Sequence, residues 1–234
     1  MQQVVYIFRK EFGSYFISPV AYIVISIFLL VTGWFFFTTF FLLDQANLRN
    51  FFSMLPVIFA FVIPAVTMRL FSEELNVGSY ETLLTLPVRY REVVLGKFLA
   101  AVAFTGAMLV PTLAYPLTVS LLGQLDWGPV VGGYIGAILL AAAYAAIGLF
   151  ASSLTRNQIV AFIIGMAICF TLTLMDRMLF FLPEALLGIL AYIGTSPHFQ
   201  NISKGVIDTR DILYFMSVCF IGLYAAGLVI EEKK

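Results

Sequence analysis

The chain has 234 residues, of which 62% are hydrophobic and 11% are charged, whereas about a quarter of the residues of an ordinary soluble domain are charged. Thirteen basic side chains balance thirteen acidic ones, so the basic excess that a nucleic-acid-binding domain shows is absent. This composition excludes an ordinary soluble fold and a nucleic-acid binder, and it indicates a protein whose partners are the lipid bilayer and other proteins.

The first 16 residues predict an amphipathic helix. One side of it is apolar, and the other carries glutamines and the pair Arg9 and Lys10, which is typical of a helix lying in the headgroup region. A Ser-Pro pair is expected to end it, so residues 1–18 form an interfacial helix. Glu11 projects to the apolar side. It either pairs with a nearby Lys or Arg or marks a contact with another subunit.

Six apolar stretches are long enough to cross a bilayer, for which a helix needs about 20 residues. They contain no Asp, Glu, Lys, Arg or His, and they are continuous rather than alternating, so helices are predicted rather than barrel strands. The predicted spans are residues 20–43, 51–68, 98–122, 130–154, 158–175 and 212–230. We therefore expect an all-α membrane protein in which residues 1–234 form a single transmembrane domain.

The basic residues predict how the chain is oriented in the membrane. The two termini and the loops on their side hold nine Lys and Arg, and the loops on the other side hold four. Because loops rich in Lys and Arg stay in the cytoplasm, we expect a multi-pass protein of the inner membrane with both termini cytoplasmic. Ion-coupled carriers keep ionisable groups inside the bundle, and the absence of such groups from the predicted spans disfavours a carrier of that kind.

The cytoplasmic segment 69–97 joins predicted spans 2 and 3. Ser72 is expected to cap a short helix that has two glutamates in its first turn. Gly78 is expected to interrupt that helix, and Pro87 is expected to stop a second one. The segment is either a compact helix pair that contacts another protein or a solvated loop. Its leucines favour the protein contact, since water alone does not explain them.

The outer segment 176–211 is half apolar. Its apolar piece, residues 179–194, is cut by Pro183 and Gly188, so we interpret it as a re-entrant or interfacial segment rather than a seventh span. His198 is the sole histidine. It is expected to have a structural or surface role, and neither a histidine metal cluster nor a plausible catalytic set can be drawn from the sequence.

Small residues and prolines distinguish the middle spans. Gly132 and Gly136 open the fourth span, where small residues let helix backbones approach closely. Tight packing inside the subunit is the main interpretation of this pair, and a contact with another subunit is the alternative. The second and third spans are expected to bend at Pro56, Pro64, Pro111 and Pro116.

Two patterns carry a resemblance to a known family. They are Arg69-x-x-x-Glu73-Glu74-x-x-x-Gly78-Ser79-x-Glu81-x-Leu83-Leu84-x-x-Pro87 followed by Glu92-x-x-x-Gly96-Lys97, and Lys10-Glu11-Phe12 followed by Ser18-Pro19-x-Ala21-Tyr22. In these residues the chain resembles the membrane-spanning subunits of ABC-2 type ATP-binding-cassette transporters. Within that family it is most similar to the gliding-motility and nitrous-oxide-accessory permease branch.

The resemblance implies a set of contacts with a separate ATPase subunit. The contact residues would be Glu73, Glu74, Gly78, Ser79, Glu81, Leu83, Leu84 and Pro87, with secondary contacts at Arg9, Lys10 and Glu11. Leucines would fill a groove of the ATPase while glutamates fix the register against a basic rim. Charge reversal at Glu74 or Glu81 is then expected to uncouple or dissociate the ATPase.

The chain itself lacks the phosphate-binding loop G-x-x-x-x-G-K-[ST]. Its one Gly-Lys pair, Gly96-Lys97, is followed by Phe98, and Arg91 stands where the earlier glycine belongs. We therefore expect a non-catalytic subunit that holds no cofactor, while the partner ATPase binds ATP and magnesium.

The resemblance also implies the assembly and its task. A second permease subunit is expected, in a homodimer or a heterodimer, and the complex would move a cargo, most simply by export. The many apolar side chains favour a lipid-like or amphipathic cargo. The alternative is a mechanical transmitter, which passes conformational change of the ATPase to an extracytoplasmic accessory protein docked on residues 176–211.

Overall fold

The computed structural model describes residues 2–43, 47–78, 89–178, 192–206 and 208–233. Within these ranges the chain forms ten α-helices and one short 3-10 helix, and no strand. The helices are α1 (Gln2–Ile17), α2 (Pro19–Leu43), α3 (Arg49–Thr67), α4 (Arg69–Val77), α5 (Tyr90–Leu109), α6 (Ala114–Leu122), α7 (Trp127–Leu154), α8 (Gln158–Met178), α9 (Thr195–Ser203) and α10 (Thr209–Glu232), with the 3-10 helix Val110–Leu113 between α5 and α6.

Six helical segments of the described chain are long and apolar enough to cross a membrane. They are α2, α3 with α4, α5 with α6, α7, α8 and α10. The predicted all-α, six-span architecture is therefore confirmed. The third span begins earlier than predicted, since its helix starts at Tyr90 rather than at residue 98, and this places Lys97 inside the helix.

Helix α4 follows α3 with only Met68 between them. Ser72 consequently lies in the middle of α4, where its hydroxyl donates to the carbonyl oxygen of Met68. The prediction that Ser72 caps the helix is wrong, because α4 continues from a span instead of starting in a loop, and a serine hydroxyl inside a helix bonds back to the preceding turn. Gly78 ends α4 with a φ of 75°, a left-handed conformation that glycine adopts without strain.

The third span is interrupted where a proline was expected to bend it. Pro111 lies at the start of the 3-10 helix Val110–Leu113 that separates α5 from α6. The Tyr134 hydroxyl of α7 donates to the carbonyl oxygen of Thr112 over 2.9 Å, so a neighbouring helix satisfies backbone that the break exposes. The prolines of α3, by contrast, lie within one helix.

Helix α7 occupies the centre of the bundle and is the most buried of the spans. Its small residues allow close approach, since a Cβ atom on Gly148 would lie 2.0 Å from the Thr67 Oγ1 atom of α3. At one end of the bundle, the Lys233 ammonium donates to the carbonyl oxygens of Ser153 and Leu154, at 2.7 and 3.3 Å. We call this end, where α1 and α4 also lie, the α4 end, and we call the opposite end the α9 end.

Gly132 and Gly136 face α9 in the same subunit. A Cβ atom on Gly132 would lie 2.4 Å from the carbonyl oxygen of Ile202, and one on Gly136 would lie 3.2 Å from the Ile202 Cγ2 atom. These two glycines therefore let α9 lie directly on α7. The apolar piece with Pro183 and Gly188, which was interpreted as re-entrant, falls almost entirely outside the described residues.

Candidate functional site

A buried cluster of charges joins three helices at the α4 end. The ammonium nitrogen of Lys97 on α5 lies 2.9 Å from the Glu11 Oε1 atom of α1 and 2.8 Å from the Glu74 Oε1 atom of α4. It also donates to the carbonyl oxygen of Leu70 over 2.8 Å. The three N–H groups of the ammonium thus have three acceptors. We call Lys97, Glu11 and Glu74 the Lys97 cluster.

Burial makes this cluster energetically important. The Lys97 side chain is 1% exposed, while those of Glu11 and Glu74 are 12% and 15% exposed. The face of the Phe71 ring, with its centroid 5.3 Å from the ammonium nitrogen, adds a cation–π contact. Charges at such depth interact far more strongly than surface pairs, but each depends on its partners for its stability.

The local sequence brings α1 onto α5 beside Lys97. A Cβ atom on Gly96 would lie 2.7 Å from the Ile7 Cγ2 atom and 3.2 Å from the carbonyl oxygen of Val4. Only glycine leaves room for α1 at this point, which explains the Gly-Lys order. The helix predicted over the N-terminal residues is present with its expected end, and part of its apolar side packs on α5 rather than on lipid.

A second contact fixes α1 against the junction of α3 and α4. The Tyr15 hydroxyl donates to the carbonyl oxygen of Val66 over 3.2 Å, and the Tyr15 ring stacks on Phe104 of α5 with centroids 4.7 Å apart. Burial raises the pKa of Tyr15, because an ionised phenol at this position would lose its hydration. The Arg69 guanidinium lies 5.2 Å from the centroid of the same ring, which ties α4 to α1 from its other side.

Ser152 of α7 holds the start of α4. Its buried hydroxyl accepts from the backbone N–H groups of Phe71 and Ser72, each over 3.0 Å, and donates to the carbonyl oxygen of Met68 over 2.7 Å. One side chain of the central helix therefore supplies hydrogen bonds that the break between α3 and α4 leaves open. Ser152 thereby fixes the start of α4, the helix that carries Glu74 of the Lys97 cluster.

An open cleft of about 540 Å³ separates α1 from α4 beside the cluster. Its charged lining consists of Lys10, Glu11, Arg69, Glu73, Glu74 and Lys97. Glu73 is exposed, whereas Glu74 points inward. The cleft therefore presents charges of both signs where α1 and α4 meet water.

The structure separates the residues predicted to contact an ATPase into distinct groups. Arg9, Lys10 and Glu73 are exposed, and Gly78 is exposed at the end of α4. Glu11 and Glu74 are instead engaged inside the subunit, which agrees with the first of the two alternatives for Glu11. The remaining predicted contacts lie outside the described residues: Ser79, Glu81, Leu83, Leu84 and Pro87.

Sequence reasoning missed the role of Lys97. Two signals were present: a glutamate on the apolar side of the first helix, and a lysine at the start of a span. Each is costly without a partner at membrane depth, and together they could have been assigned to one another. Nothing in the sequence spacing could reveal that Glu74 completes the cluster.

A second buried pair lies at the α9 end. The His198 Nδ1 atom of α9 is 2.6 Å from the Asp211 Oδ1 atom of α10, and its Nε2 atom is 2.9 Å from the carbonyl oxygen of Tyr192. Because a carbonyl can only accept, Nε2 carries a hydrogen. The imidazole stacks on the Tyr214 ring with centroids 4.1 Å apart. Of the two roles expected for His198, structural or surface, the structure shows the structural one, since the side chain is buried.

We expect Asp211→Ala to lower the free energy of unfolding by about 2–3 kcal/mol, since hydrogen bonds to charged groups contribute about 1.5–3 kcal/mol and the imidazole is left buried. Asp208 caps the same helix through a 3.0 Å bond to the Arg210 N–H, and loss of a cap costs about 1 kcal/mol. Asp208→Ala is therefore a matched control that should be milder. Thermal unfolding in detergent measures both, and equal losses would contradict the assignment.

These helices and clusters define an all-α membrane protein of six spans. At its α4 end, the Lys97 cluster and Ser152 hold α1 and α4 against the spans. The model of the ABC-2 family transporter protein matches residues 5–204. The chain thus belongs to the ABC-2 transporter family, whose members are membrane transport subunits. A comparison with curated proteins finds none that matches the chain.

Proposed function

We propose that the chain is the permease subunit of an ABC transporter and that a separate ATPase drives it through α1 and α4. The observation that carries this proposal is the Lys97 cluster, which bonds α1 and α4 to α5. A force applied to the exposed surface of α1 or α4 reaches a membrane span through two short ion pairs and one hydrogen bond to a backbone carbonyl. The family membership supplies the expectation of an ATPase partner.

The docking surface in this proposal consists of the exposed charges of α1 and α4, namely Arg9, Lys10 and Glu73, together with the segment that continues from Gly78. Exposed charges at an interface fix register and partner choice. Glu74 acts differently in this proposal, because it transmits rather than docks. Charge reversal at Glu74 would repel Lys97 directly, so a loss of ATPase binding in that variant could arise from a destabilised subunit as well as from impaired docking.

Glu73→Lys is the sharper test of docking. Each ABC ATPase of the source organism is co-expressed with the tagged chain, and complex yield and ATP hydrolysis in liposomes are measured. We expect one ATPase to form a complex. In the Glu73→Lys variant the new ammonium would face the basic rim of the ATPase, and a loss of about 1.4 kcal/mol in binding free energy would lower the yield of the complex about tenfold.

Glu232→Lys is the matched control, because Glu232 is exposed at the same end of the bundle and lies outside the cleft. It should leave the complex yield unchanged. The docking proposal fails if Glu73→Lys matches the parent in both yield and hydrolysis, or if no ABC ATPase binds the chain.

We further propose a lipid-like or amphipathic cargo that moves outward, with a second permease subunit completing the path. The supporting observation is the apolar character of the described spans. Transport of a fluorescent phospholipid across the liposome membrane, dependent on ATP, is the measurement. A complex that hydrolyses ATP without moving cargo and holds an extracytoplasmic protein would instead favour the mechanical transmitter of the gliding-motility branch.

A further inference from the structure

A groove of about 350 Å³ lies between α5 and α10 at the α4 end, away from the Lys97 cluster. Its apolar lining comes from Val94, Leu95, Phe220, Leu223 and Leu228. Gly227 also lines it, and the nearest atom to a Cβ placed there would be 3.8 Å away, on the Tyr90 ring. The volume lies within the range of about 300–1,000 Å³ that is usual for small-molecule sites.

Two opposite charges stand at the polar end of this groove. Arg91 belongs to the first turn of α5, and Glu231 belongs to the last turn of α10. Both side chains are exposed. These two described side chains nevertheless form no ion pair within 4 Å of each other. The guanidinium instead donates from Nε to the Tyr90 hydroxyl over 3.3 Å.

We propose that the groove binds one phospholipid whose headgroup is zwitterionic and ends in a primary ammonium. The phosphate takes the free N–H groups of Arg91, because a guanidinium matches phosphate geometry. The ammonium donates to the Glu231 carboxylate. One acyl chain follows the apolar lining along α10, where Phe220 and Tyr224 stack with centroids 6.1 Å apart.

The position of the groove favours a lipid over a protein helix. Arg91 and Glu231 lie at the polar ends of two spans, which is the level of the headgroups, and Tyr90 and Tyr224 lie beside them, as tyrosines do at membrane interfaces. The apolar lining continues from this polar end along α10, so a lipid whose headgroup lies between the two charges would place an acyl chain against Phe220 and Leu223.

Lipid retention by the intact chain tests this inference. The protein is purified in detergent, mixed with equal amounts of phosphatidylethanolamine, phosphatidylcholine and phosphatidylglycerol, and examined by native mass spectrometry. We expect phosphatidylethanolamine to be retained at least about threefold more than the other two. The advantage over phosphatidylcholine comes from the Glu231 carboxylate, since a quaternary ammonium cannot donate a hydrogen bond to it, and Glu231→Gln should abolish this advantage. Arg91→Gln should reduce the retention of both lipids, because both carry the phosphate that Arg91 binds.

Matched controls lie at the same end of the bundle. Glu232→Gln and Arg156→Gln change exposed residues outside the groove and should leave retention unchanged. Gly227→Leu fills the groove and should lower retention of all three lipids. Equal retention of the three lipids, a preference for phosphatidylglycerol, or an unchanged preference in Glu231→Gln would overturn the inference. A parent dimer that Gly227→Leu converts to monomer would also overturn it, by placing a second chain in the groove.

Discussion

Replacing Lys97 with methionine is expected to lower the free energy of unfolding by about 3–5 kcal/mol, because it removes the buried cation that the carboxylates of Glu11 and Glu74 share. Methionine keeps the length and packing of the lysine stem, so the loss reports on charge. Thermal and denaturant unfolding of the purified chain in detergent are the measurements. We also expect loss of ATP-driven activity, since the ammonium no longer joins α1 and α4 to α5.

A compensated variant separates charge from shape. Lys97→Met combined with Glu11→Gln and Glu74→Gln removes the cation and both anions, and replacing a whole buried charge cluster by neutral groups is often tolerated. It should therefore recover most of the lost stability while remaining uncoupled from the ATPase. If Lys97→Met alone were as stable as the parent, the cluster would not hold these helices together.

Gly132→Ala is expected to lower the free energy of unfolding by about 1–3 kcal/mol, because the new methyl group meets a backbone atom. The carbonyl oxygen of Ile202 would lie 2.4 Å from it, and backbone cannot rotate away as a side chain can, so α9 must shift. Gly106→Ala is the matched control in another span, where no atom of a neighbouring helix lies within 4 Å of the Cβ position, and alanine should stabilise that helix slightly.

The Gly132→Ala and Gly106→Ala variants also distinguish the two interpretations of the Gly132 and Gly136 motif, which are packing inside the subunit and contact with another subunit. Packing inside the subunit predicts that Gly132→Ala lowers the thermal unfolding midpoint while the oligomeric state stays constant. A variant as stable as Gly106→Ala, but altered in its oligomeric state by light scattering, would favour the contact with another subunit.

The six spans could be predicted from the sequence because a helix that crosses a bilayer needs a long continuous run of apolar residues, which is visible in the local sequence. The end of α4 was predictable at Gly78, where one residue decides the backbone, and the break in the third span falls at Pro111, where a bend was predicted. Ser72 was placed wrongly because the same residue type serves as a cap or as a mid-helix serine, and its neighbours in the fold decide between them. The hydroxyl of Ser152, 80 residues away, helps to decide it here.

The candidate site was predictable only in part. The sequence indicated that segment 69–97 matters, but it could not show which glutamates face outward. Glu73 and Glu74 are adjacent, and a rotation of about 100° per residue along the helix sends one to water and the other to Lys97. The partners of Lys97 are 86 and 23 residues away, separations that carry no pattern. The His198–Asp211 pair was missed for the same reason.

The order of the Lys97 cluster along the chain has a consequence for biosynthesis. Both carboxylates precede the lysine, so the ribosome makes Glu11 and Glu74 before the cation that they neutralise. At about 5–20 residues per second, the 23 residues between Glu74 and Lys97 take about 1–5 s. When the third span enters the membrane, the acceptors for its buried ammonium already exist, and the nascent helix can exchange water for them as it inserts.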